Sequence, residues 1–159
     1  YEVRKRKQWF TIAQLVGRTD FALFPVAGYL CTGFPDTTAL CYFLFFYPFA
    51  MAHLGVNDLA DVENDRARGM QTIPILYGMS GTVWWIVVFL LIHMAAAFLF
   101  ITRLDPIATT GVALGFALLV FAAVHLARQP TPEGGMKVLP LFHLAMLIYA
   151  GSIVIGSLL

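Results

Sequence analysis

The sequence has little charge, little cysteine and no long polar stretch. Of its 159 residues only 12% are charged against 60% hydrophobic, and the mean hydropathy of +0.79 lies outside the usual range for a water-soluble domain. A net charge of +1 and a pI near 8.0 leave no broad basic face to neutralise phosphates, which argues against a nucleic-acid partner. Cys31 and Cys41 form no Cys-x-x-Cys pair and keep no metal-ligand spacing with histidine, so they read as small packing residues rather than a zinc or redox site. No small-residue cleavage pattern follows the basic start Arg4-Lys5-Arg6-Lys7, so the N-terminal helix is expected to stay in the protein. Low-complexity tracts and a separate soluble domain are also missing, and residues 1–159 are expected to form a single transmembrane domain.

What is there is a series of apolar runs. A spanning helix needs about 20 mostly apolar residues, and five stretches qualify: 10–32, 38–56, 82–102, 107–127 and 138–159. The expected fold is therefore all-α, a polytopic membrane bundle of five transmembrane helices. Gly33 and Pro35 close the first run, Pro106 opens the fourth, and Pro130, Pro132, Gly134 and Gly135 are expected to interrupt the chain before the fifth. With the N-terminus inside, Arg4, Lys5, Arg6, Lys7, Arg66, Arg68, Arg128 and Lys137 collect on the cytoplasmic side and Arg103 falls outside. Arg18 and Asp20 lie within the first run, where an ionisable group costs about 2.5–3.5 kcal/mol on insertion scales. Two readings of them stand open: residues 8–17 lie along the interface with the pair near the headgroups, or the pair faces a polar cavity. Gly111-x-x-x-Gly115 and Ala95-Ala96-Ala97 read as sites of close helix packing. His93, His125 and His143, each alone on an apolar helix, read as hydrogen-bonded packing residues.

The most informative segment is NDLADVENDRARGMQTIPILYG, Asn57 to Gly78, which holds four of the chain's nine acidic residues within eight positions. At 100° per residue, Asp58, Asp61 and Asp65 fall within an arc of about 60° on a helix, and Asn57 widens it to about 100°. Glu63 points the other way, so the pattern is a stripe and not merely an acidic count. Carboxylates four residues apart stand about 6 Å apart along the axis and can hold Mg²⁺, whose remaining octahedral positions go to phosphate oxygens and water. Arginine suits the remaining anionic oxygens, and Arg68 returns to the stripe seven residues after Asp61. The competing reading is an acidic loop at the membrane surface. It gives no reason for three aspartates and an asparagine to share one face at the end of an apolar helix.

At these residues the sequence resembles the UbiA superfamily of intramembrane prenyltransferases. Asn57, Asp61 and Asp65 match its Asn-x-x-x-Asp-x-x-x-Asp pattern, and Gly69-Met70-Gln71-Thr72-Ile73-Pro74-Ile75-Leu76-Tyr77-Gly78 is similar to the continuation of the second of that family's two acidic motifs. Tyr1-x-x-x-Lys5 resembles an element near the end of the family's fourth helix. The resemblance implies half of a nine-helix fold, with a first acidic motif supplied by an N-terminal half or a partner chain. It implies Mg²⁺-dependent transfer of a prenyl group from an isoprenoid diphosphate to a hydrophobic aromatic or lipid acceptor, at a site facing the cytoplasm of a multi-pass protein of the cell membrane. By the same resemblance Asp61 and Asp65 are the catalytic residues, Asn57, Asp58, Asp61 and Asp65 the metal set, and Tyr1, Lys5, Asn57, Arg68 and Thr72 the substrate-binding set. Two other functions fit the composition: a non-catalytic UbiA-like subunit of a larger complex, and a metal-ion or proton pathway. The second lacks a continuing chain of ionisable residues along the apolar helices.

Overall fold

The structure, a computed structural model, describes residues 2–31, 33–99 and 101–158. Tyr1 lies outside the described residues. The elements are all helical: α1 (Glu2–Lys7), α2 (Ile12–Gly17), α3 (Thr19–Leu30), α4 (Thr37–Ala60), α5 (Val62–Ala67), α6 (Ile73–Ala97), a 3₁₀ turn (Ile101–Arg103), α7 (Pro106–Arg128) and α8 (Pro132–Leu158).

Among the described residues, α4, α6, α7 and α8 are long and apolar enough to cross a membrane. They occupy four of the five expected runs. The first run is not one continuous helix: it is broken at Arg18, whose φ −101° and ψ 5° separate α2 from α3. At 12 residues, α3 rises only about 18 Å, short of a hydrocarbon core of about 30 Å. The break has a physical reason, because Arg18 and Asp20 face a polar cavity rather than hydrocarbon. Of the two readings of that pair, the cavity accounts for its surroundings, and the break after Gly17 is the one that the interfacial reading places there.

Helix starts follow local chemistry. Asp36 caps α4, its Oδ1 accepting from the N–H groups of Thr38 (2.8 Å) and Ala39 (3.2 Å). Asp105 caps α7 in the same way through Ile107 (2.7 Å) and Ala108 (3.0 Å). Pro74 and Pro106 stand in first turns, where no intrahelical N–H is needed. In α6 the chain kinks at Gly78, at φ 73° and ψ 175°, a conformation that favours glycine. Gly134 and Gly135 depart from expectation by lying inside the first turns of α8. Gly134 N–H is capped by the Thr131 hydroxyl at 3.1 Å, and a Cβ on Gly135 would come within 3.0 Å of the Ala60 nitrogen. The smallness of Gly135 serves the approach of α8 to the end of α4, while a Cβ on Gly134 would meet the Gln129 carbonyl.

The core lies along α4, where Phe45, Phe49 and Leu59 meet Ile86 of α6, Leu119 and Leu126 of α7, and Phe142 and Tyr149 of α8, all buried. His93 is fully buried at its centre, with Nδ1 2.8 Å from the Phe45 carbonyl and Nε2 3.2 Å from the Tyr149 hydroxyl. It ties α6 to both neighbours, as a packing histidine should. The Trp85 indole donates to the Met51 carbonyl at 2.9 Å. Outward faces carry large apolar side chains such as Trp84, Leu91 and Phe121, as a lipid-facing surface requires.

Gly111 and Gly115 face α8, where a Cβ would collide with Ser152 and Tyr149 respectively. Overpacking of this kind costs about 1–3 kcal/mol. Gly115→Val should therefore lower the thermal unfolding midpoint of the detergent-solubilised protein, while a substitution at the exposed Leu114 should leave it nearly unchanged; equal effects at the two positions would contradict this packing.

Candidate functional site

Helix α4 ends at Ala60 because Asp61 leaves the helical region, at φ −105° and ψ 14°. Hydrogen bonding nevertheless runs on through the corner, from Asp61 N–H to the Asn57 carbonyl at 3.0 Å and from Asp65 N–H to the Asp61 carbonyl at 2.9 Å. The stripe therefore survives the break. Asn57, Asp58, Asp61 and Asp65 all line one cavity of about 910 Å³, together with Lys5, Arg18, Asp20 and the apolar Leu54, Met136 and Leu139.

Within it the acids differ in environment. Asp58 is buried, its Oδ1 is 3.4 Å from Lys5 Nζ, and its Oδ2 accepts from the Ile73 N–H at 3.4 Å. Both oxygens are engaged, so Asp58 holds Lys5 in place. Asp61 is exposed to the cavity, and its carboxylate takes both contacts from the Asn64 amide, at 3.2 and 3.3 Å. Asp65 is buried on α5. Burial pushes its carboxyl above the usual carboxylate range; Asp61 adds to that, while Lys5, Thr72 and Arg68 oppose it. Asn57 is half-buried, with its amide nitrogen 3.2 Å from His53 Nδ1.

A clamp aligns the N-terminal segment with the stripe. The Gln71 N–H donates to the Lys5 carbonyl at 2.8 Å, and the Gln71 carbonyl accepts from the amides of Gln8 (2.7 Å) and buried Gln14 (3.2 Å). The chain reaches Gln71 through Gly69, at φ 67°, where the Met70 N–H closes on the Asp65 carbonyl at 2.9 Å. This turn carries α5 back under α1 and brings Lys5 over the carboxylates.

Of the sequence-derived site residues, the cavity thus brings together Lys5, Asn57, Asp58, Asp61 and Asp65. Arg68, exposed at the end of α5, and Thr72, fully buried, do not line it; both stand on the loop side of Asp65. Arg18, not assigned to the site from sequence, contributes a second cation to the wall. Its only sequence signal was the cost of a charge within an apolar run. His53 was not singled out at all, and its partner His143 lies 90 residues away.

Among the described residues, no three His, Cys, Asp or Glu side chains are grouped closely enough to form a ready metal cage. Mg²⁺ does not ask for one, since it is usually held by one or two carboxylates and completes its shell with water and substrate phosphates. The weakly engaged Asp61 carboxylate, Asp65 and the Asn57 amide oxygen fit that use. Lys5 and Arg18 on the same wall suit an anion rather than a bare cation store.

Such a site sets charged residues beside apolar walls at the end of a long apolar helix. The profile of the UbiA prenyltransferase family matches residues 3–148, and the chain belongs to that family. Among curated relatives, the digeranylgeranylglyceryl phosphate synthase of Thermococcus sibiricus is 26% identical over 165 residues, an alignment covering 98% of this chain and 55% of the relative. That of Thermococcus kodakarensis is 27% identical over 157 residues, covering 92% and 51%. A solved structure described as giving insights into digeranylgeranylglyceryl phosphate synthase in membranes superposes with a TM-score of 0.77 at 18% identity, over 90% of this chain and 53% of that one, a likeness of fold. The chain spans about half the length of these relatives.

The raised Asp65 carboxyl has a pH signature. The unfolded chain releases this proton first, so the cost to folding grows as pH rises from about 4 and is relieved as pH falls through the raised value. The thermal midpoint of the native protein relative to Asp65→Asn should therefore fall as pH rises above about 4; parallel profiles for the two proteins would contradict it.

Proposed function

We propose that the cavity binds the diphosphate of an isoprenoid donor through Mg²⁺ and that the complete protein transfers the prenyl group to a lipid acceptor bearing a hydroxyl. The observation that carries this reading is the convergence of Asn57, Asp61 and Asp65 on one cavity with Lys5 and Arg18, at the end of a spanning helix. The names of the relatives support a glyceryl phosphate lipid as the acceptor class and geranylgeranyl as the transferred group.

Asp61 and Asp65 would hold the ion, with the Asn57 carbonyl oxygen as a further ligand. Bound Mg²⁺ supplies the counter-charge for the departing diphosphate. Lys5, held by Asp58, and Arg18 bind anionic oxygens that the ion leaves uncovered. The allylic C–O bond breaks with its electron pair leaving on the diphosphate; the acceptor oxygen then forms the new bond to carbon and loses its proton. Leu54, Met136 and Leu139 keep that wall of the cavity apolar, which limits water at the reacting carbon.

The relatives are about twice as long as this chain, and we assign to their additional length a further group of helices carrying a second acidic stripe across the cavity. Residues 1–159 then act as one transmembrane unit of the larger assembly. The basic residues of α1, with Arg66, Arg68, Arg128 and Lys137, favour a cytoplasmic opening.

In the complete protein, Asp61→Ala and Asp65→Ala should each lower Mg²⁺-dependent turnover at least about a hundredfold with helical content preserved, measured with geranylgeranyl diphosphate and a glyceryl phosphate lipid. Unchanged turnover in both variants would overturn the proposal. Arg18→Gln should raise KM for one anionic substrate about tenfold, the loss of a charge-assisted hydrogen bond, with a smaller change in kcat; an unchanged KM for both substrates would remove Arg18 from the site.

A further inference from the structure

We propose that His53 and His143 are positioning residues that orient the Asn57 amide, turning its carbonyl oxygen toward the ion held by Asp61 and Asp65. This rests on the reading of the cavity as a metal and diphosphate site.

His53 precedes Asn57 by four residues on α4, so the imidazole and the amide share one face of the helix. The ring is 7% exposed and stacks against Phe21 and Phe49, with centroids at 5.9 and 6.3 Å, which restricts its rotation. Its Nδ1 is 3.2 Å from the Asn57 amide nitrogen and its Nε2 is 3.1 Å from Nε2 of His143 on α8. An amide nitrogen only donates. His53 Nδ1 must then accept, the proton of the neutral ring sits on Nε2, and from there it is donated to His143 Nε2. The His143 proton is left on Nδ1.

The hydrogen bonds can also run the other way. His143 would donate to His53, His53 Nδ1–H would donate to the Asn57 oxygen, and the amide NH₂ would face the cavity. That arrangement is self-consistent but turns a donor toward the ion. The amide oxygen is the one side-chain atom of Asn57 able to ligate a cation, so the metal selects the first arrangement, and the His53 tautomer reports which one is present. His143 lies about 16 Å along α8 from its first residue and is exposed, at a depth where a lone imidazole facing hydrocarbon would be costly. Its bond to His53 gives it a role at that depth.

The test uses the complete protein in lipid nanodiscs, with ¹⁵N-labelled imidazoles read by NMR and Mn²⁺ as a paramagnetic substitute for Mg²⁺. The expected result is His53 in the Nε2–H form and His143 in the Nδ1–H form. His53→Leu and His143→Leu should each weaken Mn²⁺ binding about tenfold with helical circular dichroism retained. His143→Gln, whose carbonyl can accept from His53, should recover most of the loss seen in His143→Leu. A His53 Nδ1–H tautomer overturns the proposal, as does unchanged Mn²⁺ affinity in both leucine variants. Asp61→Asn separates the two levels: Mn²⁺ binding that survives it overturns the metal site itself, whereas its loss there with intact binding in the histidine variants overturns only the positioning role. Should His53→Leu misfold, the His143 pair and the tautomer decide the matter.

Discussion

Carboxylates at the end of a membrane helix cannot be left against hydrocarbon, and most of the local architecture follows from that constraint. Helix α4 delivers Asn57 and Asp58 in its last turn and Asp61 just past its end, and α5 adds Asp65. Around them the chain stops behaving as a simple bundle: α1 lies across the end, α2 and α3 part at Arg18, and the turn after α5 folds back so that Gln71 binds the backbone of Lys5. The part-buried Lys5–Asp58 pair is a link between the N-terminal segment and the stripe.

Below the site the structure is rigid and apolar. His93 joins α4, α6 and α8 through two hydrogen bonds, and Gly55, Gly111, Gly115 and Gly135 stand where a side chain would meet the facing helix. Close backbone approach of this kind fixes the helix end that carries the acidic residues, where a loop would hold them more loosely. The same packing leaves a narrow transition from apolar walls to charged residues, which suits a substrate with a charged head and a long hydrocarbon tail.

The spans α4, α6, α7 and α8 were legible in the sequence because uninterrupted apolar runs have few alternatives in a chain this hydrophobic. The stripe was legible because helical periodicity alone puts Asp58, Asp61 and Asp65 on one face, and the helical hydrogen bonds at Asp61 preserve that periodicity through the corner. The break at Arg18 was legible in one of two readings, the one that lays residues 8–17 along the interface; the cavity that Arg18 and Asp20 line was not, since α4 forms its wall. Nor could spacing show that Asp58 would be taken by Lys5, 53 residues earlier, or that His53 would meet His143. Gly134 and Gly135 carry a turn signal that is overridden: Pro132 and Thr131 start the helix locally, Gly134 leaves room for the Gln129 carbonyl and Gly135 for Ala60 of α4. The family match at residues 3–148 includes the segment that periodicity picked out.

The central claim, that this cavity holds a prenyl diphosphate through a divalent ion, is tested most directly by equilibrium binding of radiolabelled geranylgeranyl diphosphate to the complete protein in nanodiscs, with Mg²⁺ and with a chelator. The account predicts saturable binding that requires Mg²⁺ and is lost in the chelator. Binding of equal affinity in the chelator would contradict it.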